Sequence, residues 1–242
     1  MQSLNQAYEW LSAHFLGGVP ADNVALIVGV LLSYVLAHAF QRIPCSMPAA
    51  KHLFSVVASA ISYGIVQDHV DGVVHLAAGS VVAYILMRTL RGRAMPRAVF
   101  AMAMLHLSYS HIWRQVSEIQ NGRVQQDYTG AQMVFVMKIT SLANCIYDGQ
   151  RRDQAALTSY QRRNAVAAVP GLLEYLGYVF FFPSFAIGPS FELATYRRMV
   201  QLDCRRVSGQ MTRCAYARLL EGLGWMAVYV RYSHVSFAAM IA

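Results

Sequence analysis

The polar residues best suited to chemistry lie inside or beside long apolar stretches of the chain. Lys138 is near the centre of the stretch Met133–Tyr147, Asp127 and Asp148 flank that stretch, and Glu174 belongs to a later one. Ionisable groups are costly in lipid and usually face a bundle interior or a wet cavity. We therefore expect Lys138 to reach water or to pair with a carboxylate, for which Glu174 is the candidate. Such a pair would either serve a site or only fix the packing of two helices.

Histidine, cysteine and the common catalytic motifs give weaker signals. We expect His38 and His75 to make packing hydrogen bonds rather than to act as acids or bases. The four cysteines form no C-x-x-C pair, so their spacing indicates buried or loop thiols and no metal site. The sequence has no G-x-S-x-G elbow, no H-E-x-x-H and no Walker lysine motif. No catalytic residue is assigned.

The composition indicates which solvent surrounds these residues. Of the 242 residues, 56% are hydrophobic and 13% are charged, whereas globular domains carry about 25% charged residues. High hydrophobicity likewise excludes a disordered chain. The natural solvent is therefore lipid. A formal net charge of +8 can indicate nucleic acid, but basic loops on one side of a bilayer explain it, and no nucleic-acid partner is expected.

Seven apolar runs are predicted to enter the membrane. The first five are roughly 15–18 residues long, slightly shorter than the ~20 that a typical bilayer needs, and they suit a thin membrane such as the endoplasmic reticulum. The predicted fold is all-α, a polytopic helix bundle with about six to eight membrane segments. The runs are Val24–Phe40, His52–Val66, Val73–Met87, Ala98–Trp113, Gly130–Tyr147, Ala165–Phe191 and Leu219–Ala242.

The connections between the first runs indicate the orientation of the chain, because short basic loops stay in the cytoplasm. Gln41–Lys51 is basic, Gln67–Gly72 is acidic and Arg88–Arg97 is basic again. This alternation predicts that residues 1–23 form a lumenal N-terminal segment and that residues 24–242 form the membrane bundle.

The sixth run breaks this alternation. Asp148–Asn164 before it and Glu192–Arg218 after it are both rich in arginine, so both are predicted to lie in the cytoplasm. The run would then dip in and return, or cross twice as two half-helices, and Pro183 and Pro189 supply the breaks. Broken backbone at membrane depth is tolerated where it lines a wet cavity, so we expect a site here. The alternative is a plain proline-kinked span.

Two motifs stand out in the second half of the chain. The first is Asp127-Tyr128-Thr129-Gly130-Ala131-Gln132-Met133, followed by Lys138, Ser141, Asn144 and Asp148-Gly149. The second runs from Leu172 to Pro183 and continues with Gly188-Pro189-Ser190-Phe191. Together they resemble signature regions of the membrane-bound O-acyltransferase family, and the second is similar to the glycine-proline region of its lysophospholipid acyltransferase branch, especially the fungal type. The order and spacing of the two motifs make chance similarity a poor explanation.

The resemblance implies transfer of a fatty acyl group from acyl-CoA to the free hydroxyl of a lysophospholipid, in a multi-pass protein of the endoplasmic reticulum membrane. The implied partners are acyl-CoA, lysophospholipid and membrane lipids, with acyl-CoA as co-substrate and no cofactor. The residues expected in the wall of the lipid chamber are Asp127, Tyr128, Gln132, Lys138, Asn144, Asp148, Glu174, Tyr178, Pro183, Gly188 and Pro189.

The sequence departs from the family pattern at the catalytic histidine, which in the family lies in later helices with a companion asparagine. His234 follows the signature region, but its context, Arg231-Tyr232-Ser233-His234-Val235, does not match the family's histidine motif. We therefore expect residues 24–242 to be a partial domain that lacks the C-terminal catalytic helices and is inactive alone. Two alternatives are a transporter-like protein, whose broken helix binds substrate, and a lipid-binding scaffold.

The orientation is testable by cysteine-accessibility labelling. Single cysteines placed in Arg88–Arg97, Asp148–Asn164 and Glu192–Arg218 should all react with a membrane-impermeant reagent from the cytoplasmic side, because all three segments are basic. A cysteine in Gln67–Gly72 should react only from the lumen and serves as the control. Reaction of the last two basic segments from opposite sides would show that the sixth run is a single span.

Overall fold

The computed structural model describes residues 2–15, 20–121, 128–151, 153, 155–202 and 209–232. In these residues the regular secondary structure is helical, without a β-strand, which confirms the predicted all-α class. A π-helical turn, Ala60–Val66, continues α3, and a 3-10 turn, Phe182–Ser184, follows α8. The helices are α1 (Gln2–Phe15), α2 (Ala21–Arg42), α3 (Pro48–Ser59), α4 (Val70–Thr89), α5 (Ala94–Asn121), α6 (Thr129–Gln150), α7 (Ser159–Asn164), α8 (Leu172–Val179), α9 (Leu193–Gln201) and α10 (Gly209–Tyr232).

Within the described ranges, α2, α3 with its π turn, and α4 are long and apolar enough to cross a membrane. They contain 22, 19 and 20 residues, with mean hydropathies of 2.0, 1.3 and 1.7. The prediction of short spans was therefore wrong for these helices. Helix α2 extends beyond the apolar run Val24–Phe40, from Ala21 at one end to Arg42 at the other. The lengths of these three helices therefore give no support to the expectation of a thin membrane.

Helix α5 presents a continuous apolar face away from the rest of the bundle. Leu105, Ile112 and Ile119 are spaced seven residues apart, and their exposed fractions are 72%, 62% and 84%. Seven residues make about two helical turns, so the three side chains lie in one row. A long exposed apolar row is unfavourable in water and suits contact with lipid. The chain is a polytopic membrane protein, and the count of six to eight segments stays a prediction.

Glycines allow α4 to lie close beside α6. A Cβ atom on Gly72 would lie 2.7 Å from the Cβ of Tyr128, and one on Gly79 would lie 3.4 Å from the ring of Phe135 and 2.9 Å from Nδ1 of His106. Both the glycines and their aromatic neighbours are seven residues apart, so the two helices run parallel in register. Small residues at such crossings let helix backbones approach without side chains between them.

The sixth apolar run is broken, as its prolines predicted. Helix α8 ends at Val179, before Pro183, and the 3-10 turn is followed by non-helical backbone until Leu193. The eight residues of α8 extend about 12 Å, far less than the ~30 Å of a hydrocarbon core. Neither α8 nor the nine-residue α9 can span a bilayer alone. A return of the run to the cytoplasm stays a prediction.

Aromatic side chains fix the broken segment against the bundle. The ring of Phe181 meets those of Phe40, Phe191 and Tyr196 edge-on, with centroids 5.8, 5.7 and 5.4 Å apart. Edge-to-face pairs at this distance add about 0.5–1.5 kcal/mol beyond the burial of apolar area. The broken segment is therefore part of the protein core.

Gly177 should be required where α8 crosses α3. A Cβ atom on Gly177 would lie 2.9 Å from the Cα of His52, and backbone at that distance cannot move aside as a side chain can. We expect Gly177→Ala to lower the free energy of unfolding by about 1–3 kcal/mol, as overpacking does. Denaturant unfolding in detergent measures this change. Gly130→Ala is the matched control, because a Cβ atom there meets nothing within 4 Å and its stability should be unchanged or slightly higher. Equal stability of the two variants would contradict the close crossing.

Candidate functional site

A single buried ammonium group holds the broken segment in place. Lys138 of α6 is fully buried, and its Nζ donates hydrogen bonds to the carbonyl oxygens of Tyr178 (3.2 Å) and Val179 (3.3 Å) and to Oγ of Ser184 (2.9 Å). Tyr178 and Val179 are the last two residues of α8, whose final carbonyls have no partner within the helix. The ammonium also lies 5.0 Å from the centroid of the Phe191 ring. Lys138 therefore caps α8 at its negative end and fixes the turn that follows.

Glu174 pairs with an arginine, so the predicted Lys138–Glu174 pair was wrong. Nε of Arg197 donates to Oε1 of Glu174 at 2.6 Å, and Nη2 donates to Oε2 at 3.3 Å, which is a bidentate contact. Glu174 lies in the first turn of α8, whereas Lys138 reaches its last turn. The prediction paired Lys138 with Glu174 because their charges are opposite. In the structure, the carbonyl oxygens at the end of α8 accept the hydrogen bonds of Lys138 instead.

A second buried lysine does the same for α9. Lys51 of α3 is 1% exposed, and its Nζ donates to the carbonyl oxygens of Val200 (2.8 Å) and Leu202 (3.1 Å) at the end of α9. From the sequence, Lys51 is predicted to be a loop charge, because it stands at the end of the basic connection Gln41–Lys51. Its position four residues into an apolar helix that begins at Pro48 was the available signal. The two short helices on either side of the break are thus both capped by buried ammonium groups.

A carboxylate beyond the break collects three donors. Glu192 accepts hydrogen bonds from the hydroxyls of Ser141 (2.6 Å) and Tyr160 (2.9 Å), and Sγ of Cys145 lies 3.4 Å from it. The bond to this carboxylate raises the pKa of the Tyr160 phenol. Glu192 ties α6 and α7 to the start of α9. This role of Glu192 was not predicted from the sequence, because Glu192 begins a basic segment and has no charged neighbour to suggest a site.

Polar groups without protein partners lie between α4, α5 and α6. Gln132 is fully buried, and within the described ranges neither its Nε2 nor its Oε1 has a hydrogen-bond partner; the same holds for Nδ1 of His106. The ring of His75 stacks on Tyr128, with centroids 5.3 Å apart, and lies 6.2 Å from the ring of His106. An unsatisfied buried polar group costs about 1–3 kcal/mol. Gln132 and His106 therefore keep hydrogen-bonding capacity that no described residue uses.

A cavity of about 200 Å³ lies between α2, the π turn and the broken segment. We call it the break cavity. Pro183 and Gly188 line it, and a Cβ atom on Gly188 would lie 3.7 Å from Val134 of α6. The side chain of Ser184, next to Pro183, accepts the hydrogen bond from Lys138. The lysine therefore supports the wall of the cavity from behind.

The structure brings only some of the predicted chamber residues together. Lys138, Tyr178, Pro183 and Gly188 meet at the break, with Pro189 next along the chain. Tyr128 and Gln132 lie nearer the start of α6, and Glu174 lies at the start of α8. Asn144 is exposed, with its amide donating to the Thr140 carbonyl, and Asp148 lies 3.9 Å from the Arg151 guanidinium at the end of α6. Asp127 and His234 lie outside the described residues.

The lone histidines behave differently from each other. Nε2 of His38 hydrogen-bonds with the Tyr216 hydroxyl at 2.6 Å, which confirms the packing role predicted for it. His75 packs by stacking on Tyr128, and in the part of the chain that the structure describes it makes no hydrogen bond. The prediction was right about packing for both and wrong about the kind of contact for His75.

Two double-mutant cycles should distinguish the observed Glu174–Arg197 pair from the predicted Glu174–Lys138 pair. Glu174→Ala and Arg197→Ala should show a coupling of about 0.5–1 kcal/mol in the free energy of unfolding, modest because the arginine side chain is 40% exposed. Glu174→Ala and Lys138→Met should be additive within about 0.5 kcal/mol. Coupling in the second cycle and additivity in the first would contradict the arrangement described here.

Similar sequences are found among lysophospholipid acyltransferases of yeasts and a fly. The chain is 32% identical over 238 residues to a lysophospholipid acyltransferase of Schizosaccharomyces pombe, covering 94% of this chain and 45% of the relative. It is 28% identical over 230 residues to a lysophospholipid acyltransferase of Saccharomyces cerevisiae, covering 86% and 37%. Lysophospholipid acyltransferase 6 of Drosophila melanogaster is 30% identical over 203 residues, covering 81% and 27%. The chain spans less than half the length of these relatives.

The family itself is recognised from most of the chain. The sequence model of the membrane-bound O-acyltransferase family matches residues 86–241, which include α5, α6, both short helices and the break between them. The matched region therefore contains Lys138, its carbonyl partners and the wall of the break cavity. With more than half of its residues matched, this chain belongs to the membrane-bound O-acyltransferase family.

Proposed function

We propose that this chain is part of an acyl-CoA-dependent lysophospholipid acyltransferase of the endoplasmic reticulum membrane. The observation that carries the proposal is the buried Lys138, which holds a broken helix open beside a cavity inside a membrane bundle. Irregular backbone at membrane depth requires that its polar groups be satisfied, and it is found where it lines a cavity. The similarity to lysophospholipid acyltransferases of two yeasts and a fly supports the same activity.

The residues described here would form the wall of a lipid chamber. In the reaction, the acceptor's free hydroxyl attacks the thioester carbonyl of acyl-CoA, a new oxygen ester forms and CoA leaves as the thiol. A base must take the hydroxyl proton, and a polar group must stabilise the oxyanion. The chain's contribution is positioning: Lys138 keeps the break fixed, and the amide of Gln132 offers hydrogen bonds that no described residue uses.

The CoA part of the donor would meet arginines at the end of α6. Nε of Arg93 donates to the hydroxyl of Tyr147 at 3.1 Å, and the guanidinium of Arg151 lies 5.8 Å from the centroid of the same ring. Tyr147 thus brings two guanidinium groups to one end of the bundle, which is the predicted cytoplasmic end. Guanidinium groups bind phosphate oxygens by paired hydrogen bonds, as the CoA phosphates require.

The test is a chimera in which this chain replaces the aligned part of the Schizosaccharomyces pombe relative. We expect microsomes that contain the chimera to transfer labelled oleoyl from oleoyl-CoA to lysophosphatidylcholine. Lys138→Met should lower this transfer at least about tenfold, because the carbonyls of the break lose about 1–3 kcal/mol of hydrogen bonding and the wall changes shape. Lys138→Arg, which keeps donors, should recover part of the rate.

Met137→Ala is the matched control, since Met137 is the preceding residue of α6 and is 50% exposed. It should transfer at the rate of the unchanged chimera. A chimera that inserts and is stable but transfers no acyl group would contradict the proposed function. Full activity of Lys138→Met would contradict the role given to the lysine.

A further inference from the structure

The break cavity contains two polar side chains without a protein partner. Ser62 and Gln67 line the cavity and are only 8% and 6% exposed, and neither side chain hydrogen-bonds to a residue that the structure describes. Two other serines in the wall are satisfied: Ser33 donates to the carbonyl of Val30, and Ser59 donates to that of Phe180. Buried polar groups normally have partners, so the hydroxyl and the amide in this cavity are open to a ligand.

The π turn is what brings these two groups to the same wall. Residues five apart, such as Ser62 and Gln67, lie on different faces of an α-helix. Here the backbone N–H of Gln67 donates to the carbonyl of Ser62 at 3.2 Å, which closes a turn of the wider π type. The two side chains are therefore stacked one turn apart. Single π turns inside α-helices are frequent at functional sites.

Helix α2 forms the wall of the break cavity opposite the π turn, and Gly29 of this helix leaves room for the side-chain amide of Gln67. A Cβ atom on Gly29 would collide with Nε2 of Gln67. Glycine at this position lets the glutamine side chain lie flat against α2, within the cavity wall. Any larger residue at this point would have to displace the amide.

The lining indicates the chemistry of the ligand. None of the described residues that line the break cavity is charged, so a phosphate or CoA would have no counter-charge there. A hydroxyl and an amide N–H are donors that suit a carbonyl oxygen. A mainly apolar groove of about 300 Å³ adjoins the cavity and shares Val30 and Ile187 with it. It continues between α2 and α10, and its one charged lining residue among those described, Arg218, already pairs with Glu221. A carbonyl followed by one hydrocarbon chain fits both parts.

We infer that the break cavity binds the acyl-ester linkage of a single-chain glycerolipid, with the ester carbonyl between Ser62 and Gln67 and the chain in the adjoining groove. This inference rests on the proposed function in taking that lipid to be the lysophospholipid acceptor. The acceptor's existing ester would then be recognised at a distance from the hydroxyl that receives the new acyl group. Ser62 and Gln67 would favour acyl acceptors over alkyl-ether acceptors, which lack the carbonyl.

The test measures binding without acyl-CoA, so its result does not depend on transfer. The 242-residue protein in lipid nanodiscs is exposed to 1-acyl lysophosphatidylcholine that carries a photoreactive diazirine beside the carbonyl, or to the matched 1-O-alkyl analogue. We expect cross-links in the peptides that contain Gly29, Ser62 and Gln67. The ester should label at about five- to tenfold lower concentration than the ether, the effect of one hydrogen bond.

Substitutions in the break cavity test whether Ser62 and Gln67 cause the preference for the ester over the ether. Ser62→Ala and Gln67→Leu should each weaken labelling by the ester and leave labelling by the ether unchanged, and Gly29→Ala should weaken the ester because it displaces the Gln67 amide. Ser110→Ala is the control, since this buried serine bonds to its own helix on α5. Folding is compared by circular dichroism.

Three results would overturn the inference: equal labelling of the wild type by ester and ether, cross-links in other segments, or equal competition by diacyl phosphatidylcholine, which would show a bilayer-lipid site. All three are measured on the wild type, so they hold even if a variant fails to fold. Ester-dependent labelling together with an inactive chimera would leave this inference standing and refute the proposed function. A chimera that transfers acyl groups, together with equal labelling by ester and ether, would refute this inference and leave the proposed function standing.

Discussion

The structure depends on satisfying backbone carbonyl groups where helices stop inside an apolar bundle. A helix ends with four carbonyls that have no partner in the helix, and in lipid no water is available to bond them. Here α8 ends in the core and α9 ends at its edge, where Val200 is buried and Leu202 is 39% exposed, and Lys138 and Lys51 supply the missing donors. A lysine suits this role because its three N–H donors point in different directions and its charge opposes the negative end of the helix.

This arrangement makes the break permanent rather than a flexible kink. Each ammonium group would be very costly if left unbonded in the interior, so the bonds that satisfy it also fix the backbone that offers the carbonyls. The edge-on rings around Phe181 and the bidentate Glu174–Arg197 contact hold the same segment from other sides. The cavity beside Pro183 persists for this reason: the chain around it cannot close into a regular helix.

The sequence predicted the fold class, the broken sixth run and the importance of Lys138, because these follow from composition, proline and the cost of charge in lipid. It did not predict the partner of Lys138, since carbonyl acceptors belong to every residue and carry no sequence signal. Lys51 and Glu192 were missed because each stands near a loop border, where a charge is normally exposed. The π turn was also invisible, because Ala60–Val66 reads as ordinary apolar helix.

The distribution of donors and acceptors around the break gives the cavity its character. The carbonyls of Tyr178 and Val179 accept from Lys138, that of Phe180 accepts from Ser59, and that of Phe191 accepts from the Tyr178 hydroxyl at 2.7 Å. These four carbonyls of the broken segment are thus used within the protein, whereas the side-chain donors of Ser62 and Gln67 remain open at the facing π turn. A cavity with spare donors and no charge in its described lining favours a ligand that brings a neutral acceptor. The hydrogen bonds that stabilise the broken helix therefore also influence which ligand can bind in the break cavity.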